Sequence, residues 1–212
     1  FSVVSYTGNN TNSTVAHGLN AAPGMVIVKN RDQSYNWSVY HDSLAATQCL
    51  LLNSTSATIS SSPQFNNSKT TSTTFPIGAG GNTNYPSGSD LIAYCFAPVE
   101  GYSHMSSWTG NGSADGPFLF TGFRTRFLLY KRTDVASNWY IMDTERDPDN
   151  VTTQRLLAES TASEYTYSST DLLDVNSNGF KVRSGNNAIN ANGGTYIYYA
   201  VAENPFRTAR AR

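Results

Sequence analysis

Five oxygen-bearing side chains crowd one short stretch of this chain: Asp143, Glu145, Asp147, Asp149 and Asn150. Carboxylates at alternating positions supply the hard oxygen ligands that Ca²⁺ takes, so Asp143, Glu145, Asp147 and Asp149 form a candidate metal loop. No glycine provides the sharp turn of a wrapped ion loop, and Asp147-Pro148-Asp149-Asn150 reads better as a solvated turn after a strand. The larger chemical resource is aromatic, with 13 Tyr, 10 Phe and 3 Trp. Tyr35, Tyr85, Tyr165 and Tyr167 stand in polar company rich in Ser, Thr and Asn. A flat ring with a hydroxyl suits stacking on a sugar or docking a partner, which makes these four the candidate ligand-binding residues. The competing reading is that of scattered exposed aromatics, which need no function.

Catalytic patterns are missing from the sequence. There is no G-x-S-x-G elbow, no phosphate-cradling glycine loop and no Cys/His spacing for zinc. His17, His41 and His104 are scattered, so only the fold can bring one to a nucleophile. Glu100, Asp115 and Glu164 are available for paired-carboxylate chemistry but suit ordinary surface roles equally. The chain is therefore expected not to be an enzyme and to need no cofactor. Cys49 and Cys95 can pair, but read first as two buried thiols, because free Cys is among the most buried residue types.

Fourteen basic against fifteen acidic side chains give a net charge of −1, which leaves no field to gather nucleic acid or an anionic membrane. The one basic cluster, Arg207, Arg210 and Arg212, reads as a solvated tail. No apolar run approaches the roughly 18–20 residues that span a bilayer as a helix. Charged residues are only 14 % of the chain, so it meets water with hydroxyls and amides, as β-rich proteins do. It starts inside a repeat without Met and is expected to be part of a longer polypeptide.

The elements that must position these residues occur twice. Tyr6-Thr7-Gly8-Asn9 returns as Trp108-Thr109-Gly110-Asn111, and Lys29 through Asn36-Trp37 returns as Lys131 through Asn138-Trp139, both 102 residues on. Phe75, Gly80, Asn82, Gly88, Ile92, Tyr94 and Ala97 return 105 residues on as Phe180, Gly185, Asn187, Gly193, Ile197, Tyr199 and Ala202. Two copies of one folding unit follow, joined near Pro98-Val99-Glu100-Gly101: residues 1–100, and residues 101–212 with the basic tail. Function is then to be sought where the copies differ.

Short apolar or alternating runs bounded by Gly, Asn, Asp, Ser and Pro predict strands over 2–6, 25–29, 36–41, 48–52, 73–77 and 91–97. Their counterparts are 104–108, 127–131, 139–143, 155–158, 179–183 and 196–202. About six strands per copy suit an all-β fold of two tandem antiparallel β-sandwich domains, jelly-roll-like, with Trp37 and Trp139 packed in the two cores. The loops 78–88 and 184–194 are polar and expected at the surface, and 54–74 is a polar segment without a counterpart.

Several pieces carry a resemblance: His17-Gly18-Leu19 with Ala22-Pro23, Tyr94-Cys95-Phe96-Ala97-Pro98-Val99-Glu100-Gly101-Tyr102, Ser177-Asn178-Gly179-Phe180-Lys181 and the ending Ala202-Glu203-Asn204-Pro205-Phe206. Together they resemble a duplicated domain of tail-fibre and other virion appendage proteins of bacteriophages, especially phages of marine bacteria and cyanobacteria. The resemblance implies a structural, non-enzymatic part of a virion: a tail-fibre or spike tip that attaches to a host surface receptor, such as a glycan, beside other virion proteins. A homo-oligomer, a trimer, is the expected assembly. A capsid fibre or decoration protein and a secreted carbohydrate-binding module are the alternatives. The family supplies no catalytic or binding residues to carry over.

Overall fold

Period-two alternation shapes the first strand: in Ser2–Thr7 every second residue is exposed, so Val4 and Tyr6 turn inward while Val3 and Ser5 face out. In the computed structural model, which describes residues 1–60, 63–166 and 172–205, such strands account for nearly all regular structure, and every strand pair is antiparallel. The basic tail lies outside the described residues. The chain divides into two compact units between Ala97 and Pro98.

The first unit holds β1 (Ser2–Thr7), β2 (Ser13–Ala16), β3 (Met25–Asn30), β4 (Ser38–His41), β5 (Leu50–Leu51), β6 (Thr74–Ile77) and β7 (Asp90–Phe96). Five form a sheet in the order β1-β7-β3-β4-β5, and β2 pairs with β6. Alternate residues of β7 and β3, namely Leu91, Ala93, Cys95, Val26 and Val28, form one buried cluster with Phe75 and Ile77 of β6. The polar segment 54–74 is tied to the same core: Phe65, at the end of a short 3₁₀ turn over Pro63–Phe65, is 2 % exposed within this cluster.

The second unit holds β8 (Ser103–Thr109), β9 (Phe118–Phe120), β10 (Thr125–Arg132), β11 (Trp139–Asp143), β12 (Gln154–Leu157), β13 (Tyr165–Thr166), β14 (Leu173–Asn176), β15 (Gly179–Val182) and β16 (Thr195–Ala202). Six strands form a sheet ordered β8-β16-β10-β11-β12-β13, and three form β9-β15-β14. Its core stacks Trp108 on Tyr196, ring centroids 4.7 Å apart at 10°, with Tyr130, Tyr140, Phe180 and Tyr198 around them. One turn of helix, α1 (Asn187–Asn190), starts at Asn186, whose side chain accepts the Ala188 N–H at 2.8 Å.

Three expectations need correction. β2, β9, β13 and β14, two to four residues each, are strands that the sequence reading does not include, because they lie among Ser, Thr, Asn, Asp and Gly that read as loop. Trp139 is buried, but Trp37 is only half-buried: it precedes β4 and stacks on Tyr94 with centroids 6.4 Å apart, so it is not a core residue. The loops 78–88 and 184–194 are not wholly at the surface, since Thr83, Asn84 and Asn190 within them are fully buried.

Candidate functional site

Long polar loops keep a fixed shape only when their backbone groups find partners. In the first unit Asn84 supplies them: its Oδ1 accepts the Asn9 N–H at 2.7 Å, and its Nδ2 donates to Asn9 Oδ1 at 2.9 Å and to the Thr11 carbonyl at 2.6 Å. Beside it, Tyr6 donates its hydroxyl to the Thr83 carbonyl at 2.6 Å, and burial pushes that phenol far above its ordinary range. In the second unit Asn190 accepts the Asn111 N–H at 2.9 Å and donates to Asn111 Oδ1 and to the Ser113 and Ser184 carbonyls. The sequence pattern did not single out either asparagine; their full burial is what shows their role.

On this frame the structure brings two of the four candidate tyrosines together. Tyr35 and Tyr85 stack with ring centroids 6.3 Å apart at 24°, one on the β3–β4 loop and the other on the β6–β7 loop. Both loops are tied to Asn30, the fully buried last residue of β3. Asn30 donates to the Tyr85 carbonyl at 2.9 Å and accepts the N–H groups of Asp32 and Gln33 at 2.9 and 3.0 Å. Lys29 donates to the Tyr35 carbonyl at 2.6 Å. The Tyr85 ring, 42 % exposed, and the half-buried Tyr35 ring thus form a pre-organised aromatic surface.

The second unit has loop hydrogen bonds of its own, without an aromatic pair. Arg132 there clamps Asp134 with two bonds of 2.8 Å and donates to the Asn187 carbonyl at 3.0 Å. Asp134 accepts the Thr195 N–H at 3.2 Å, as Asp32 accepts that of Asp90 at 2.7 Å. Tyr165 stands in β13 across from Arg155 in the strand register, and Tyr167 lies outside the described residues.

The residues of the acidic loop find partners within the protein. Asp143 is bound by the Arg146 guanidinium; burial opposes its ionisation, but Arg146 outweighs it and holds the carboxyl below its usual range. Glu145 pairs with Arg126 at 2.6 Å, and Asp147, 8 % exposed, accepts the Thr153 and Gln154 N–H groups. These carboxylates turn to arginine and backbone donors rather than to one point. Asp149 is exposed, and no group of three metal-ligating side chains converges among the described residues.

His17, His104 and the two cysteines sit in packing roles. His17 bonds the Thr71 carbonyl and accepts the Leu19 N–H, each at 3.1 Å, and His104 lies 2.9 Å from the Tyr198 hydroxyl, its imidazolium disfavoured by burial. Cys49 and Cys95 are buried thiols, and burial raises the Cys95 thiol to about 12.

One feature of the second unit left no trace in the sequence pattern. Phe118 and Phe120 of β9 are 45 % and 63 % exposed. In the first unit Thr14 and Ala16 of β2, which face Pro76 and Thr74 of β6, carry no aromatic ring. Phe120 borders an open hollow of about 1060 Å³ whose wall also includes Val99, Glu100, His104, Arg124 and Asn204.

Residues 1–205 match the sequence model of a family described as a domain of unknown function, DUF7483, and the chain belongs to that family. It matches no curated protein and no solved structure.

Proposed function

We propose that this member of the DUF7483 family is a structural, non-enzymatic part of a tailed-bacteriophage particle, built of two copies of one β-sandwich, and that its first unit touches the host surface through Tyr35 and Tyr85. Support for two copies comes from the matched bonding frames, in which Asn9–Asn84 corresponds to Asn111–Asn190 and Asp32–Asp90 to Asp134–Thr195. Support for the sandwich comes from the single cluster in each unit that joins residues of the larger sheet to Phe75 or Phe180 of the smaller. The virion assignment rests on the resemblance carried by the Ala202-Glu203-Asn204-Pro205-Phe206 ending and the Ser177-Asn178-Gly179-Phe180-Lys181 piece.

The observation that carries the contact assignment is the stacked Tyr35–Tyr85 pair, Tyr85 exposed and Tyr35 half-buried, anchored on a fully buried Asn30, on a frame that the second unit repeats without it. Many copies on one particle turn weak contacts into firm attachment, so a shallow aromatic surface suffices. The test is adsorption: labelled chain is added to candidate host cells and made to compete with intact particles. Binding that falls at least about tenfold for Tyr35→Ala with Tyr85→Ala is the expected result. Wild-type chain that neither binds nor competes defeats the attachment reading and leaves a decoration role on the capsid. Equal binding to purified glycans unrelated to any host favours a secreted carbohydrate-binding module.

A further inference from the structure

We propose that β9 is a pairing edge for a second copy of this chain, joining two molecules across a two-fold axis through Leu119 into one continuous sheet. The register of β9 on β15 fixes which groups are available. Val182 donates to the Pro117 carbonyl and Thr121 to the Asn178 carbonyl, so Phe118–Lys181 and Phe120–Gly179 are the pairs that do not bond each other. The N–H and C=O of Leu119 therefore face β15, and those of Phe118 and Phe120 point to the other side. Among the described residues β9 is the last strand of its sheet on that side.

Natural sheets blunt such an edge with charge, proline or a covering element. β9 instead carries two exposed phenylalanines, Phe118 and Phe120, side by side on one face. Pro117 before them and Gly122 after them, at φ +83°, bound the edge at both ends. The available strip thus consists of two donor–acceptor pairs two residues apart, and an antiparallel copy of itself matches it. With Phe118 opposite Phe120 of the second copy, all four donor–acceptor pairs of the two strands close, with Cα atoms roughly 5.5 Å apart in each bonded pair. The same register sets each phenylalanine beside one of the partner's and removes apolar surface from water. The first unit lacks the device, since Thr14 and Ala16 of β2 carry no aromatic ring. Two-fold closure also differs from the threefold assembly that the resemblance implies.

The contact is small, below the roughly 1,200 Å² of a stable interface, so it is read at high concentration. Sedimentation of the full chain up to about 1 mM should show a monomer–dimer equilibrium. Phe118→Lys with Phe120→Lys should weaken the dimer at least about tenfold with an unchanged melting curve. Thr14→Lys with Ala16→Lys should leave it intact. Mixing the Lys double variant with Phe118→Glu and Phe120→Glu should restore a one-to-one dimer, because the register places opposite charges face to face. A wild-type monomer throughout the range, a trimer, a dimer indifferent to the β9 substitutions, or a mixture that stays monomeric would each overturn the proposal. None of these readouts depends on cell binding, so the attachment reading stands or falls separately.

Discussion

Asn111 and Asn190 bond each other twice: the Asn111 N–H reaches Asn190 Oδ1 and Asn190 Nδ2 reaches Asn111 Oδ1, both at 2.9 Å. Asn190 is fully buried and also donates to the Ser113 and Ser184 carbonyls, so one side chain fixes the loop after β8 to the loop before β16. Asn190→Ala removes four hydrogen bonds at once, one of them fully buried, and should cost about 3 kcal/mol, seen as a lower urea midpoint. Asn190→Asp should not rescue it, because the ionised side chain sets an acceptor against Asn111 Oδ1 and two carbonyls.

The two Asn-Trp pairs separate in consequence. Trp139 is 1 % exposed, and Trp139→Ala should destabilise by the roughly 3–5 kcal/mol of a large core truncation. Trp37 lies half-buried over Tyr94, and its loss should cost about 1–2 kcal/mol. Thermal melts of the two variants side by side decide the point; equal shifts would put Trp37 back in the core.

Glycine at 110 is required by closeness rather than by dihedral freedom. A Cβ there would sit 2.2 Å from the Ala191 carbonyl oxygen, whereas one on Gly8 would sit 3.0 Å from the carbonyls of Asn84 and Pro86. Gly110→Ala must move backbone and should cost about 3 kcal/mol or more, against about 1 kcal/mol for Gly8→Ala, by chemical denaturation.

Lys131 gives the chain a pH dependence of unusual sign. Loss of water around its fully buried amine pulls the pKa down from 10.5 to about 8, against the opposing pull of Glu159 and Asp134. The unfolded amine titrates near its ordinary value of about 10.4. Below about pH 8 both states are protonated and the burial penalty acts in full; from there to about pH 10 the unfolded state holds a proton the folded state has released, and stability rises. Relative to Lys131→Met, the wild type should gain roughly 2 kcal/mol between about pH 7.5 and pH 10, measured as paired urea midpoints. Parallel curves would show that the amine keeps its ordinary pKa.

Apolar runs such as Met25–Val28 and Leu91–Phe96 are local features of the chain, so the sequence alone determines that it is β-rich, whereas packing decides that Leu91, Ala93 and Cys95, and not the equally apolar Ile92, Tyr94 and Phe96, enter the core. The matched spacing of Tyr6-Thr7-Gly8-Asn9 and Trp108-Thr109-Gly110-Asn111 is likewise written in the chain. Asn84 and Asn190 escaped that spacing because they stand 106 residues apart while Gly88 and Gly193, just beyond them, stand 105 apart. Only the three-dimensional fold decided which partner each polar group meets. Arg126 and Arg146 claimed Glu145 and Asp143, and Tyr35 met Tyr85 across 50 residues of chain because one buried amide holds both loops. Strand pattern depends on neighbours along the chain, whereas charge pairing and loop contact depend on closures between distant segments, which no local period encodes.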